Sequence, residues 1–211
     1  MDVELRLEEE ADWGIVEELT REAFWNLHVP GCDEHLLLRN LRKAKEFVKG
    51  LDFVAAVGGK IVGNIVYVKT KVVDGEREHV VLTFGPLSVL PEYQNMGIGA
   101  KLIERTKSLA REMGYRAILI YGHPEYYARF GFRPSKDFGI ANEEGRYPAA
   151  LQALELYAGA LVGISGRFDE GELYSVDARE LAEFEKGFVP KEKGWAETQE
   201  RFRKASGRYL Q

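Results

Sequence analysis

The sequence predicts a mixed domain of α-helices and β-strands, and two observations favour it. Residues 53–57 and 61–73 are apolar runs separated by two glycines, a pattern typical of strands joined by a tight turn. Further along, an apolar strand at 79–89, an amphipathic helix at 97–113 and a short apolar strand at 117–121 follow one another. Such a strand–helix–strand unit predicts a right-handed crossover and a locally parallel pair of strands.

The other predicted elements lie at both ends of the chain. They are a strand at 3–7, helices at 12–25 and 34–49, extended segments at 154–156 and 161–164, and helices at 177–186 and 195–204. Asp12 and Asp177 are the predicted N-caps of their helices, because a short acidic side chain accepts the free N–H groups of a first turn. Residues 168–211 are charged, amphipathic and too short for a core of their own. They predict a C-terminal helical extension packed on a domain that covers residues 1–167.

Composition excludes several classes of protein. The net charge of −5 disfavours a wide surface for duplex nucleic acid, and no run approaches the ~18 apolar residues of a membrane span. The single cysteine, Cys32, excludes an internal disulfide framework and a cysteine-based metal cluster. The start of the chain lacks the basic and apolar stretches of a signal peptide. We therefore expect a cytoplasmic protein that binds neither nucleic acid nor membrane and carries no metal.

The strand at 79–89 contains an interruption. Gly85-Pro86 lies within an otherwise apolar run. Proline cannot donate to a strand ladder and glycine weakens it, so a bulge or a splayed strand is expected here. A splayed strand leaves backbone N–H and C=O groups free to pair with an extended ligand.

The turn at Gln94–Gly99 places glycines at the start of the helix at 97–113. Free N–H groups and the helix dipole favour an anion at such a position, typically a phosphate. No Gly-Lys-Ser/Thr follows, which disfavours magnesium-nucleotide hydrolysis. The dinucleotide fingerprint is also incomplete, because Leu102 occupies the place of its third glycine.

Two motifs in order resemble the GNAT superfamily of acyl-CoA N-acyltransferases. The run Gln94-Asn95-Met96-Gly97-Ile98-Gly99 matches the family's phosphate signature, Gln/Arg-x-x-Gly-x-Gly/Ala. About 30 residues later, the strand at 118–121 is followed by Glu125-Tyr126-Tyr127-Ala128-Arg129-Phe130-Gly131-Phe132, which is similar to the family's tyrosine helix and Gly-Phe. The stretch also resembles a subset of predicted bacterial N-acetyltransferases. The resemblance covers most of residues 1–165.

The resemblance implies a GNAT fold and acetyl-CoA as cosubstrate. The fold would be α+β, with a central, mostly antiparallel sheet of six or seven strands, a splayed parallel pair and flanking helices. The residues implied to bind the carrier are Leu87, Ser88 and Val89 on the bulged strand, through backbone groups, and Gln94, Asn95, Met96, Gly97, Ile98, Gly99 and Ala100 around the pyrophosphate. An amide of Val89 or Leu87 would polarise the thioester carbonyl.

The resemblance also implies an acid but leaves the base open. Tyr127, four residues before Gly131, corresponds to the family's tyrosine acid that protonates the departing thiolate, and Tyr126 is its competing neighbour. Many members keep a glutamate on or near the bulged strand, whereas residues 79–89 contain no carboxylate. His123 is the candidate base. The weaker alternatives are Glu125, Glu78, Glu22 and a water chain.

The function implied is transfer of an acetyl group from acetyl-CoA to a primary amine of a small molecule or peptide by direct attack. Such transfer needs no covalent nucleophile, so Cys32 is not expected to act as one. The alternatives are a CoA-binding or sensing module without chemistry, and transfer of a larger acyl group or to another acceptor. We expect the acceptor between the N-terminal helices and residues 147–156, and a homodimer is possible.

Overall fold

The structure, a computed structural model, describes residues 1–210, without the side chains of 201 and 204–206. It consists of one β-sheet with helices on both faces. The strands are β1 Glu4–Leu7, β2 Phe53–Val57, β3 Lys60–Asp74, β4 Arg77–Val89, β5 Ala117–Tyr121, β6 Arg133–Pro134, β7 Ile140–Ala141, β8 Leu151–Glu155 and β9 Gly166–Asp169. The helices are α1 Trp13–Phe24, α2 Glu34–Lys43, α3 Ile98–Glu112, α4 Pro124–Ala128, α5 Ala178–Glu185 and α6 Glu197–Ser206.

The sheet confirms the predicted fold class. Its main order is β1-β2-β3-β4-β5-β8-β6, and β9 joins it by pairing with β3 and β7. The pairs are antiparallel except β4–β5 and β7–β9. The described residues form nine strands rather than six or seven, and β6 and β7 are only two residues long.

The parallel neighbours β4 and β5 touch at one position only. Leu82 pairs with Ile118, and the two strands then separate. Beyond this point β4 carries one extra residue relative to β3, because Tyr67 pairs with Phe84 but Ile65 pairs with Leu87. The extra residue falls at Gly85-Pro86, which confirms the predicted bulge. The result is an opening between β4 and β5, which we call the strand opening.

Different helices cover the two faces of the sheet. On one face, Ile98, Leu102 and Ile103 of α3 pack in a cluster with residues such as Leu82 and Ile118. On the other face, α1 and α2 pack against β3, with Val16, Leu19, Leu37, Leu38, Leu41, Val66 and Val68 among the buried members. The strand opening can therefore be approached from the α3 face and from the α1–α2 face.

The C-terminal residues contact the α1–α2 face. Glu185 of α5 accepts hydrogen bonds from the Arg21 guanidinium at 2.7 and 3.1 Å, and its carboxylate lies 2.7 Å from Nε2 of the buried His35. Asp177 caps α5 as predicted, accepting the N–H groups of Arg179 and Glu180. The strand β9, Gly166–Asp169, crosses the boundary between residues 167 and 168, where the C-terminal helical extension was predicted to begin.

Three local predictions were wrong, each for a different physical reason. Asp12 does not cap α1; it accepts the Glu9 N–H and pairs with Arg6 at 2.6 Å. α2 ends at Lys43, since the following segment bonds to β3, where the Val48 N–H donates to the Tyr67 carbonyl. Residues 161–163 form a turn and residue 164 is irregular, so no strand forms here, because Gly159 and Gly163 have positive φ.

Within residues 1–210, no helix is long and apolar enough to cross a membrane.

Candidate active site

The free edge of β4 provides backbone groups to the strand opening. The Leu90 N–H donates to the Val62 carbonyl, which makes Leu90 and Val62 a hydrogen-bonded pair of the β3–β4 ladder. Because such pairs alternate along antiparallel strands, Leu87 and Val89 direct their N–H and C=O groups to the other edge, from which β5 has separated. The Val89 carbonyl accepts a hydrogen bond from the Gln94 side-chain amide at 3.0 Å.

Ser88 faces the opposite way from its two neighbours. By the same alternation its backbone bonds to Asn64 of β3, and its buried hydroxyl donates to Thr20 Oγ1 of α1 at 3.0 Å. Of the three predicted strand positions, only Leu87 and Val89 therefore direct backbone groups into the opening.

The predicted anion site lies at the start of α3. Among the described residues, the backbone N–H groups of Asn95 to Ala100 have no acceptor, and the Lys101 N–H is the first to bond back, to the Gly97 carbonyl. Asn95 and Gly97 have left-handed φ values of +62° and +82°. Left-handed residues turn successive N–H groups toward one point and form an anion-binding concavity. Met96 is exposed in this turn, whereas Ile98 is buried and anchors it.

Tyr127 lies beside the bulge of β4. Its ring centroid is 5.9 Å from that of Phe84, which precedes Gly85, and 5.6 Å from that of Phe132. Burial, and to a smaller extent neighbouring Tyr126, raises the pKa of the Tyr127 phenol above its usual value. The hydroxyl has no hydrogen-bond partner among the described residues and stays protonated. It is a neutral donor in a mostly apolar setting.

Tyr126 lies elsewhere, beside the start of α3. Its hydroxyl oxygen would be 3.1 Å from a Cβ placed on Gly99, where Leu87 is also close. Arg129 stacks on the Tyr126 ring, with Cζ 4.0 Å from the ring centroid. The two adjacent tyrosines therefore contact different parts of the candidate site: Tyr126 lies at the turn into α3 and Tyr127 at the bulge.

The base candidates from the sequence occupy peripheral positions. His123 and Glu125 are exposed at the start of α4, where the His123 backbone carbonyl accepts the N–H groups of both tyrosines. Glu78 pairs with Lys71 at 2.6 Å near the β3–β4 turn. Glu22 on α1 pairs with Lys191 at 2.7 Å.

The sequence analysis missed a carboxylate in the segment that leads from β9 to the bulge of β4. Glu170 follows β9 directly, and burial, then the charges of Glu143 and Asp169, raises its pKa to about 7. Four residues later, the Tyr174 hydroxyl donates to the Gly85 carbonyl in the bulge at 3.3 Å. The only signal in the sequence is an acidic residue beside Asp169, which is common at protein surfaces. The pairing of β9 with β3 and the contact of Tyr174 with Gly85 place this segment between the β3–β4 turn and the bulge.

The described residues contain no group of three or more His, Cys, Asp or Glu side chains that could hold a metal ion. Cys32 is buried, with its sulfur 3.6 Å from His35 Nδ1 between α1 and α2. Burial, together with nearby carboxylates, raises the pKa of its thiol. The thiol stays protonated and is a poor nucleophile.

A family model described as the acetyltransferase (GNAT) domain matches residues 49–134. The uncharacterised N-acetyltransferase YjhQ of Escherichia coli is 34% identical over 114 residues, which are 54% of this chain and 59% of that protein. The chain thus spans less than two thirds of that relative. A second uncharacterised N-acetyltransferase of the same organism, YhbS, is 27% identical over 118 residues, 56% of this chain and 69% of that protein.

Solved structures agree in fold. A crystal structure of Escherichia coli YhbS in complex with CoA has a TM-score of 0.73 and 23% identity, covering 82% of this chain and 92% of that one. A GNAT-family acetyltransferase from Brucella melitensis, in complex with acetyl-CoA, has a TM-score of 0.66 and 26% identity, covering 82% and 99%. The residues 49–134 that match the family model include the bulge, the turn into α3 and both tyrosines, and the chain has the fold of these two acetyltransferase structures.

Proposed function

We propose that the protein is an N-acetyltransferase that moves an acetyl group from acetyl-CoA to a primary amine of a small molecule or peptide. The proposal rests on one observation: free backbone groups on the edge of β4 are followed directly along the chain by free amides in the turn before α3. The outward amides of Leu87 and Val89 lie on the strand that leads into the turn whose amides, from Asn95 to Ala100, lack acceptors. A pantetheine diphosphate has the same order of groups, an amide-bearing arm followed by an anion.

Acetyl-CoA, when bound, supplies a thioester whose carbonyl carbon the amine attacks. The chain's part is to hold and polarise that group. The amides of residues 95–100 bind the diphosphate, and the β4 edge pairs with the arm. The outward N–H of Leu87 or Val89 donates to the thioester oxygen, a hydrogen bond worth ~3 kcal/mol in the transition state. The Val89 carbonyl already accepts a hydrogen bond from the Gln94 side chain. The outward N–H groups of Leu87 and Val89 remain as free donors.

Tyr127 donates its phenolic proton to the departing sulfur. Since burial raises the pKa of this phenol further above that of a free thiol, ~8.5, the difference in proton affinity does not favour the transfer. Tyr127 therefore contributes through its fixed position and its hydrogen bond to the developing thiolate, and the sulfur takes the proton as the C–S bond breaks. The ring contacts with Phe84 and Phe132 fix that position.

The proposal is tested by calorimetric titration with acetyl-CoA and CoA, followed by an assay for CoA thiol release with a panel of amines. We expect binding of both carriers and amine-dependent thiol release. Binding without release from any amine would favour the alternative, a CoA-binding module without chemistry. That alternative is kept open by the absence of a carboxylate from β4 after Glu78. His123→Gln tests whether the imidazole accepts the amine proton.

A further inference from the structure

The strand opening has a border on the face opposite α3. Ile118 and Ile120 of β5 pack in the cluster that contains α3, so by alternation Tyr121 lies on the other face. There the Tyr121 ring contacts that of Phe168 in β9, with 6.1 Å between centroids. Across the opening, Tyr174 reaches the Gly85 carbonyl. Chain segments from β5, β9 and the C-terminal residues thus border this face of the opening.

Glu170 lies between these two aromatic contacts along the chain. It is two residues after Phe168 and four before Tyr174. The segment that carries Glu170 therefore runs from the Tyr121 ring to the bulge, on the face opposite Tyr127. In agreement with this placement, the charge of Glu170 is, after burial, the next largest cause that raises the pKa of Tyr121, to about 12, and the pKa of Tyr174 above its usual range.

The side that faces away from α3 is the side from which an acceptor can approach. The carrier's diphosphate site and Tyr127 belong to the α3 face, where Tyr126 contacts the start of α3 and Tyr127 contacts Phe84. An amine adds to the thioester carbon roughly perpendicular to the plane of the carbonyl group, so it can enter from the face that the carrier and Tyr127 leave free. The segment that carries Glu170 lies on that face, whereas the imidazole of His123 is exposed to water.

We propose that Glu170 is the general base of the acetyl transfer, accepting the proton that the incoming ammonium loses. The inference rests on the function proposed above. In the step, the N–H bond of the ammonium breaks and Glu170 gains the proton. The nitrogen then bonds to the carbonyl carbon, the C–S bond breaks, and the sulfur gains a proton from Tyr127. Glu170 releases its proton to solvent, and Tyr127 is reprotonated by the second proton that the nitrogen loses as the amide forms. One thioester and one ammonium give one amide, one thiol and one proton.

Burial makes this carboxylate a better base. The pKa of an alkyl ammonium, ~10, is about six units above that of an ordinary glutamate, so proton transfer to such a glutamate is strongly unfavourable. The difference from the pKa of Glu170 is only about three units. The titratable and charged groups around Glu170 are Glu143, Asp169, Tyr121 and Tyr174, and Asp169 is 3.5 Å from Lys71. Two of the neighbours are carboxylates, which favours an acceptor that arrives as a cation.

The test compares Glu170→Gln with Glu172→Gln, an exposed glutamate two residues further along. In the wild type, kcat/KM for the amine should rise with pH through about 7. In Glu170→Gln this rise with pH, the acidic limb of the profile, should disappear, and kcat at pH 7 should fall ~10²–10³-fold. The rate should recover at high pH, where free amine is abundant. Binding of acetyl-CoA by calorimetry should not change. Glu170→Asp, which keeps a carboxylate, should retain the limb and part of the rate.

A second readout does not depend on activity. Carbon-13 NMR of labelled glutamate carboxyls in the free protein should show one that titrates near pH 7 and disappears in Glu170→Gln but not in Glu172→Gln. The proposal is overturned if no such carboxyl exists, if Glu170→Gln keeps the wild-type rate and limb, or if the limb disappears in His123→Gln instead. A wild type that binds acetyl-CoA but acetylates no amine contradicts the proposed function itself, and this assignment with it.

Discussion

The Tyr127 ring lies directly on the backbone of Gly122. A Cβ built on Gly122 would be 2.2 Å from Tyr127 Cε2 and 2.6 Å from Cδ2, closer than any side chain tolerates. The strand β5 ends immediately before this glycine, and its N–H donates to the Ala150 carbonyl at 2.9 Å, which fixes the backbone. The absence of a side chain at position 122 therefore decides where the Tyr127 phenol lies.

Gly122→Ala should displace the Tyr127 ring. Because the obstacle is a packed ring and not the end of a flexible chain, we expect a loss of ~1–3 kcal/mol in the free energy of unfolding and a roughly 10–100-fold fall in kcat. Urea denaturation and the thiol-release assay measure these. Gly14→Ala is the control, since a Cβ at Gly14 meets nothing within 4 Å. Equal kinetics for both variants would show that ring position does not matter.

The two adjacent tyrosines should give different kinetic signatures. Tyr127→Phe removes the donor beside the bulge, so kcat should fall ~10²-fold with little change in acetyl-CoA affinity. Tyr126→Phe removes a hydroxyl next to Gly99, so its main effect should be on carrier affinity. Steady-state kinetics and calorimetry separate the two effects. A Tyr127→Phe enzyme at full rate would disprove the acid assignment.

Gly97→Ala should weaken carrier binding. The φ of +82° at Gly97 disfavours any side chain, at a cost of ~1 kcal/mol, and relaxation of the turn would move the free amides. The matched control is Gly75→Ala in the β3–β4 turn, where φ is +60° and the space is likewise open. Both variants should lose similar stability, while calorimetry should show weaker acetyl-CoA binding for Gly97→Ala alone. Equal affinities would argue against an anion site at this turn.

The ion pair between Arg21 and Glu185 should stabilise the protein. The Arg21 side chain is 1% exposed, so Glu185→Ala leaves a buried guanidinium without its carboxylate. We expect a loss of ~3 kcal/mol in the free energy of unfolding. Glu183→Ala, which breaks an exposed pair with Lys186, should cost less than ~0.5 kcal/mol. Similar losses for both variants, measured in urea, would contradict this role.

Glu170 should make stability depend on pH. Its pKa is raised from 4.5 to about 7 in the folded protein, so the folded state holds this proton more tightly than the unfolded chain does. The stability it contributes is complete below pH ~4.5 and is lost as pH rises through 7. Relative to Glu170→Gln, the wild type should lose ~2 kcal/mol between pH 4 and 8, after allowance for partial exposure. Parallel pH profiles of denaturation would refute the shift.

Local chemistry made part of this structure predictable. Apolar residues that recur every 3.6 positions after a glycine-bearing turn define α3 and its free first-turn amides, independently of the rest of the fold. Gly85-Pro86 cannot continue a strand ladder, so the bulge in β4 follows from these two residues alone. The cap of α5 at Asp177 is equally local. Some predictions failed where two segments offer hydrogen-bond partners to the same backbone. The residues around Val48, for example, bond to β3 instead of extending α2.

The sequence by itself determined the fold class, the bulge, the turn with free amides before α3 and the pair of tyrosines, because each depends on residues close together in the chain. Only the tertiary structure decided that Tyr127 rather than Tyr126 contacts the bulge, that Ser88 faces α1, and that the segment carrying Glu170 leads to the bulge. Those relationships join segments up to about 90 residues apart, as between Gly85 and Tyr174. Strand pairing and side-chain packing bring such segments together, and no local pattern records which residues will meet.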